Sequence, residues 1–185
     1  MILPIAIYGN PILRKKAKDI SKDYPELEQL IQDMFETMYQ SEGVGLAAPQ
    51  INKSIRLFVI DASPFAEDAP ELKDFKKVFI NAHITEKSED TQVFNEGCLS
   101  LPGIRENVKR HNTITIEYYD ENFNFHKETF SGIAAIVIQH EYDHTDGILF
   151  IDRLSPIKKR LLQNKLKTIE QNKVKTNYSI IPNKK

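Results

Sequence analysis

The chain has 185 residues, of which 41% are hydrophobic and 28% are charged, and its formal net charge is -1. This length suffices for one domain with a substantial core, and a charge so near zero gives no support for DNA as a partner. No apolar run approaches the roughly 18 residues that a membrane-spanning helix needs. The single cysteine, Cys98, excludes an intramolecular disulfide, so a reducing, cytoplasmic setting is expected.

The first predicted helix follows a basic, irregular arm from Pro11 to Lys22. It spans Pro25 to Gln40, where apolar residues recur at the spacings of an amphipathic helix. The stretch from Gly43 to Gln50 then combines small residues with Pro49. It is either a helix-to-strand turn or a rim whose exposed backbone groups can pair with an extended peptide, with the Gln50 amide as a side-chain donor.

Strand-like sequence dominates the middle of the chain. A buried strand is predicted from Ile55 to Ile60, and strand sequence resumes from Lys77 to Ala82 after an acidic loop between Asp61 and Asp74. A short strand from Thr91 to Phe94 leads into a bend from Glu96 to Gly103. The bend can present Cys98 more readily than a smooth core strand would.

The C-terminal half begins with two alternating segments, Thr113 to Tyr119 and Phe123 to Phe130, which predict antiparallel strands. The unbroken apolar run from Ile133 to Ile138 follows, and it predicts a helix buried inside the domain. Ser155-Pro156 is typical of a helix start, and the last helix is expected to carry on one side Ile157, Leu161, Leu162, Leu166 and Ile169.

These elements predict an α+β fold with mostly antiparallel strands packed around the buried central helix, together with an N-terminal amphipathic helix and a C-terminal helix. Residues 1–171 are expected to form a single catalytic domain, and residues 172–185 are expected to be a polar, flexible tail.

The buried helix carries the strongest chemical signal in the chain. His140 and His144 lie four residues apart and share one helix face, so both can ligate one metal ion, and Glu141 lies beside them as a base. The pattern alone also fits a pair of hydrogen-bonded core histidines. A metallopeptidase and a non-catalytic metal-stabilised binding module both remain open at this point.

A third metal ligand must come from elsewhere in the chain. Structural zinc sites usually contain several cysteines and this chain has one, which favours a catalytic site with three protein ligands. Extended metalloproteases would need a histidine where Phe150 stands, and thermolysin-like enzymes would need a downstream glutamate, for which only Glu170 is available. Cys98 is the best candidate, and His83, His111 and His126 are interpreted as ordinary strand or loop residues.

Three motifs occur in register along the chain: Gly43-Val44-Gly45-Leu46-Ala47-Ala48-Pro49-Gln50, Glu96-Gly97-Cys98-Leu99-Ser100 and His140-Glu141-Tyr142-Asp143-His144. Together they closely resemble the motifs of the peptide deformylases, over most of the chain up to Pro156. The resemblance implies a metallohydrolase that removes the N-formyl group from the N-terminal formyl-methionine of nascent polypeptides and releases formate.

The resemblance also implies roles for individual residues. Cys98, His140 and His144 would hold the metal with a water in the fourth position. Glu141 would act as the base that activates this water, and the Gln50 side chain and the Leu99 backbone N–H would stabilise the oxyanion. The substrate-binding positions would be Val44, Gly45, Glu96, Gly97, Arg105, Ile133, Ile136 and Val137. For Glu96 and Arg105, a purely structural ion pair is equally consistent with the sequence.

The cofactor implied is one divalent metal per chain, natively Fe²⁺, which Zn²⁺, Ni²⁺ or Co²⁺ can replace in a purified protein. The partners implied are nascent N-formyl-methionyl peptides, with no DNA and no membrane. The density of Lys and Arg between Ser155 and Lys185 adds the hypothesis of a transient ribosome contact through the basic C-terminal helix.

Overall fold

The computed structural model describes residues 1–184. These residues form three α-helices and nine strands. The helices are α1 (Leu27–Gln40), α2 (Gly132–Thr145) and α3 (Pro156–Glu170). The strands are β1 (Ile5–Ala6), β2 (Gly45–Ala47), β3 (Leu57–Asp61), β4 (Lys76–Lys87), β5 (Thr91–Gly97), β6 (Arg105–His111), β7 (Thr113–Tyr119), β8 (Phe125–Ser131) and β9 (Ile180–Ile181).

The main sheet has five antiparallel strands in the order β2-β3-β4-β7-β8. Strands β5 and β6 form a separate antiparallel ribbon, and β1 pairs with β9 in parallel. The predicted α+β fold with mostly antiparallel strands is therefore confirmed. Most residues of helix α2 are buried, including polar ones in its C-terminal half, and the helix packs against the main sheet and β6, as expected for a buried helix.

The acidic loop between β3 and β4 is ordered by two short 3-10 helices, Ser63–Phe65 and Pro70–Leu72. Ala69 and Leu72 are buried in the core that lies between the sheet and α2. Phe65 packs edge to face on Phe94 of β5, with ring centroids 5.8 Å apart. The loop therefore packs beside the β5–β6 ribbon.

Two expectations about the C-terminal region differ from the structure. Leu162, Leu166 and Ile169 of α3 are buried. Ile157 and Leu161 are 74% and 76% exposed, because their side chains project from a different side of the helix. The residues after α3, expected as a loose tail, turn back onto the domain where β9 pairs with β1. Both residues of β1 are buried, and β9 is the strand that pairs with β1 among the described residues.

Among residues 1–184, no helix combines the length and the apolar character that crossing a membrane requires.

Candidate metal centre

Cys98, His140 and His144 come together from two elements. Cys98 follows the end of β5, and the two histidines project from one face of α2, where their ring centroids are 5.2 Å apart. One ligand atom from each of the three residues lies within 4.8 Å of the others. The Sγ atom of Cys98 is 3.4 Å from Nε2 of His144. The structure therefore brings together the three side chains that were predicted as metal ligands.

The donor set fits a catalytic divalent metal. One thiolate and two imidazoles suit zinc or iron, and three protein ligands leave a coordination position for water or substrate. Burial lowers the pKa of His144 well below its usual range, which favours the neutral form that ligates metals. The Nδ1 atom of His144 is buried without a hydrogen-bond partner among the described residues.

The alternative third ligand, Glu170, is exposed near the end of α3 and is not part of the cluster. Phe150 occupies the place where an extended protease motif would have a histidine. Its ring stacks on His140 with a centroid distance of 6.0 Å, so this position contributes packing to the site. His83, His111 and His126 make hydrogen bonds to Asp19, Ser88 and Asp120, respectively, away from the cluster.

His140 is oriented by a buried carboxylate. Its Nδ1 atom lies 2.7 Å from Oε1 of Glu96. Burial alone would raise the pKa of Glu96, but hydrogen bonds from Arg110 and His140 outweigh burial and lower this pKa to about 2. Because an ionised Glu96 only accepts hydrogen bonds, Nδ1 of His140 must carry the proton, which leaves Nε2 free as a metal ligand.

A buried guanidinium links the β5–β6 ribbon to α2. Arg110 of β6 donates two hydrogen bonds to Glu96, each 2.8 Å long, and a third of 2.6 Å to Asp143. Arg153 donates two further bonds of 2.6 Å to Asp143. Both carboxylates therefore have cationic partners, as buried charges require. This network fixes the metal-binding face of α2 relative to the ribbon.

Glu141 is the remaining charged group beside the histidines. It is 4% exposed, and its Oε2 atom is buried without a hydrogen-bond partner among the described residues. Burial raises the pKa of Glu141 to about 7, where a carboxyl group can both accept and return a proton near neutral pH. Gly45 is its close neighbour, since a Cβ atom there would lie 2.5 Å from Oε1 of Glu141.

Gln50 is held in one orientation. Its Oε1 atom accepts from the backbone N–H of Ala47 at 2.9 Å, so the assignment of the amide follows from this contact. Its Nε2 atom then faces Ser100 Oγ at 3.2 Å and Cys98 Sγ at 3.6 Å. A hydrogen-bond donor therefore points at the metal cluster.

A cleft of about 400 Å³ opens onto these residues. Its lining includes twelve of the fourteen residues proposed from the sequence, namely Val44, Gly45, Gln50, Glu96, Gly97, Cys98, Leu99, Arg105, Ile136, Val137, His140 and Glu141. Of the other two, His144 lies behind them in the metal cluster. Ile133 is the exception, because it lies one helical turn before Ile136 and packs against the core under the sheet.

The two uncertain positions, Glu96 and Arg105, do not pair with each other. Glu96 turns inward to Arg110 and His140, while Arg105 donates to the side chain and carbonyl of Asn95, at 2.9 Å each. The contacts of Glu96 are therefore those of a structural ion pair, although its partner is Arg110. Arg105 lies at the rim of the cleft.

Sequence reasoning missed Arg110, Arg153 and Tyr178. Arg110 stands in a charged stretch, and the only signal was that Val108 and Arg110, two residues apart on β6, share its buried face. Tyr178 lines the cleft from a segment interpreted as a loose tail. No local pattern in the sequence indicates such a long-range contact.

Comparison with known proteins agrees with this site. A family model described as polypeptide deformylase matches residues 2–160. The chain is 54% identical to the peptide deformylase of Christiangramia forsetii, covering 100% of this chain and 98% of that protein. It is 50% identical to that of Flavobacterium psychrophilum, with 100% of both chains covered. A solved peptide deformylase from Legionella pneumophila superposes with a TM-score of 0.81 at 38% identity, covering 93% of this chain and 97% of that one.

Proposed function

The chain belongs to the polypeptide deformylase family, and from that premise we propose how the residues of its cleft share the reaction. The family consists of metal-dependent hydrolases, so the chain is an enzyme that removes the N-formyl group from nascent polypeptides. The observation that carries the proposed assignment is that a buried Glu141 borders both the Cys98, His140 and His144 cluster and the open cleft.

Cys98, His140 and His144 hold the metal. When bound, the metal supplies a Lewis acid that lowers the pKa of a water molecule and polarises the formyl group. Fe²⁺ is proposed as the native ion, on the family resemblance and on the affinity of one thiolate and two imidazoles for iron as well as zinc. Metal analysis of protein purified without oxygen tests this assignment, which a preparation active only with bound zinc would contradict.

Glu141 moves the proton. Its carboxylate accepts one proton from the attacking water while the water oxygen bonds to the formyl carbon. When the carbon–nitrogen bond breaks, Glu141 gives that proton to the departing amine, so that formate and a free N-terminus are the products. A pKa of about 7 suits both halves of this transfer, because neither protonation state is strongly favoured at neutral pH.

Gln50 and Leu99 stabilise the oxyanion that develops on the formyl oxygen. The Gln50 amide is already aimed at the cluster, and Leu99 directly follows the ligand Cys98 along the chain. Donors that are fixed before the reaction need no reorganisation in the transition state, and loss of one such donor costs on the order of 10²–10³ in kcat.

The peptide is bound as an added strand between two open edges. Strand β2 forms one edge of the main sheet, and β5 has a neighbour on one side only, β6. Val44 and Gly45 on one side and Gly97 on the other line the cleft between these edges, where their backbone groups would bind the peptide. The methionine side chain enters the apolar pocket lined by Ile136, Val137 and the ring of His140, and Arg105 lies at the rim.

The test compares formyl-Met-Ala-Ser with the same peptide lacking the formyl group, using metal-loaded protein. The wild type is expected to release formate and one new amine from the formylated peptide and nothing from the other. Glu141→Gln is expected to lose at least about 100-fold in kcat, the contribution of a general base. Glu117→Gln, on the half-exposed face of β7, is the matched control and should retain full activity.

Two outcomes of this test contradict the proposal. Free amino acids released from the unformylated peptide would identify a peptidase instead. Equal formate release by wild type and Glu141→Gln, at equal metal content, would show that another group transfers the proton.

The outward face of α3 is proposed as a transient contact with the ribosome, and the cytoplasm as the compartment, because the substrate emerges there. Ile157 and Leu161 are exposed on this face with Arg160 beside them, and Lys159 is exposed on another side of the helix. The double variant Lys159→Glu/Arg160→Glu should reduce co-sedimentation with ribosomes at low salt, since charge reversal repels the phosphate backbone of RNA. Lys87→Glu on β4 is the control, and undiminished co-sedimentation of the double variant would count against the contact.

A further inference from the structure

The segment that follows α3 is fixed at several points before and after Tyr178. Strand β9 pairs in parallel with β1, and the N–H of Ile5 donates to Ser179 O at 2.9 Å. Further along, the Asn183 side chain donates to Tyr8 O at 2.8 Å and to Glu170 O at 3.0 Å. Asn172 and Asn183 also exchange two hydrogen bonds. The position of Tyr178 is therefore set by an anchored segment.

Tyr178 reaches the segment that carries the metal ligand Cys98. Its hydroxyl donates a hydrogen bond of 2.7 Å to the carbonyl oxygen of Leu99, a residue 79 positions earlier in the chain. The ring is half-buried and forms part of the cleft lining, along with Leu99 itself. The same residue thus touches both the cleft and the backbone next to the metal cluster.

Tyr178 completes a series of restraints on one tight turn. The Cys98 carbonyl accepts from the N–H of Leu101 at 2.9 Å, and the Ser100 carbonyl accepts from the N–H of Tyr8 at 2.8 Å. The Leu99 carbonyl, between these two, accepts from Tyr178. Three successive carbonyls are therefore held, and a turn restrained in this way keeps its N–H groups in one direction.

We propose that Tyr178 is a positioning residue for the deformylase reaction. Its hydroxyl holds the Leu99–Ser100 peptide group, which adjoins the Cys98–Leu99 peptide group that carries the Leu99 N–H, while its ring forms a wall of the substrate cleft. This inference rests on the proposed role of the Leu99 N–H as an oxyanion donor. A donor of this kind is effective only if its direction is fixed before the oxyanion forms. The C-terminal segment is accordingly part of the active site.

The hydroxyl and the ring can be separated by two substitutions. Tyr178→Phe keeps the ring and removes the hydrogen bond, so kcat should fall about tenfold while KM for formyl-Met-Ala-Ser stays unchanged, the pattern of an interaction that matters in the transition state. Tyr178→Ala should show the same loss in kcat and, because the wall is removed, a KM higher by about threefold or more.

The matched control is Tyr39→Phe. The hydroxyl of Tyr39 donates to Asp61 at 2.6 Å from the exposed side of α1, so this variant also loses one tyrosine hydrogen bond. Amide hydrogen exchange provides a readout that does not depend on activity. Exchange in the peptide covering residues 98–101 of the metal-loaded protein should become faster in Tyr178→Phe and stay unchanged in Tyr39→Phe.

Three results would overturn the inference. The first is a kcat of Tyr178→Phe within twofold of wild type, and the second is unaltered exchange at residues 98–101. The third is a loss of activity that merely follows a loss of bound metal, which would make Tyr178 a structural support. Formate release by the wild type, measured in the same assay, separates these results from a failure of the proposed function itself.

Discussion

Glu141 lies so close to Gly45 that no side chain fits between them. A Cβ atom on residue 45 would meet Oε1, Cγ and Cδ of Glu141 at 2.5 to 2.8 Å, below any normal contact distance. Gly45→Ala is therefore expected to displace the carboxylate. Since a shift of about 1 Å in a reacting group can cost 10²-fold, kcat/KM for formyl-Met-Ala-Ser should fall by about that factor.

Metal content and thermal stability serve as controls for Gly45→Ala. Both should stay close to wild type, because the clash involves the end of one side chain and no ligand of the metal cluster. Undiminished kcat/KM in this variant would contradict the prediction, because it would show that Glu141 can transfer the proton from a displaced position.

Among residues 1–184, Arg110 is the one cationic side chain that pairs with both Glu96 and Asp143. Arg110→Met leaves Glu96 with only the His140 ring as a side-chain partner among residues 1–184, in a region where each carboxylate is about 5% exposed or less. Breaking a buried pair on one side costs about 3–5 kcal/mol, so the free energy of unfolding in urea should fall by that amount. Arg153→Met should cost less than ~1 kcal/mol, because the Arg153 side chain is 35% exposed. Equal losses in the two variants would contradict this ranking.

The residues that meet at the candidate metal centre could be predicted from the sequence, whereas most of those that orient them could not. His140 and His144 stand in a motif whose chemistry is readable from residue type and spacing, and Cys98 and Gln50 stand in motifs that resemble those of the family. The position of Arg110 depends instead on the register of β5 against β6, which pairs Glu96 with Glu106 and Gln92 with Arg110. Such a register is a property of two strands and the core they cover, and a local pattern does not contain it.

Element boundaries followed the hydrophobic pattern wherever a strand or helix buries one clear face. Helix α1 and strand β7 occupy the predicted stretches almost residue for residue. Strand β6 was missed because only two of its residues, Val108 and Arg110, are buried. One of these two is charged, so the strand shows no hydrophobic alternation. Strands β1 and β9 were missed because each has two residues, too few for a period to be visible.

The pairing of β9 with β1 predicts a stability role for the C-terminal segment. Deletion of residues 177–185 removes Ile180 and Ile181 from the core that Phe150 and the buried side of α3 form, and it uncovers the fully buried Ile5 and Ala6. Burial of a whole isoleucine contributes about 1.5–3 kcal/mol, and the two residues are partly buried, so a loss of about 2–4 kcal/mol is expected. Urea unfolding of the metal-loaded protein measures it.

The matched variant for this deletion is Ile180→Ser/Ile181→Ser, which keeps Tyr178 and the full length of the chain. It should reproduce most of the stability loss. If the deletion variant unfolded at the same urea concentration as wild type, the β1–β9 pairing would contribute nothing to the free energy of unfolding.

At the scale of the whole molecule, the metal cluster lies where two cores meet. Helix α2 contributes Ala134, Ala135, Val137 and Ile138 to the core under the main sheet. Cys98 packs against a different core, which β1, α3 and the segment around Phe150 share. An ion bound to Cys98 and to the histidines of α2 therefore ties two separately packed regions together, in a chain that has no disulfide to do so.

This arrangement predicts that metal binding stabilises the fold as well as supplying the chemistry. The unfolded chain does not hold Cys98 near His140 and His144, so the ion binds the folded state selectively, and stabilisation follows from mass action. At a free metal concentration 100 times Kd, the gain in the free energy of unfolding is about 2.7 kcal/mol, and Tm should rise accordingly. Cys98→Ala is the control, because it removes one ligand without enlarging the side chain, and its Tm should respond much less to metal. If chelation left the Tm of the wild type unchanged, the ion would not join the two cores, and the network of Arg110 with Glu96 and Asp143 would hold them together without it.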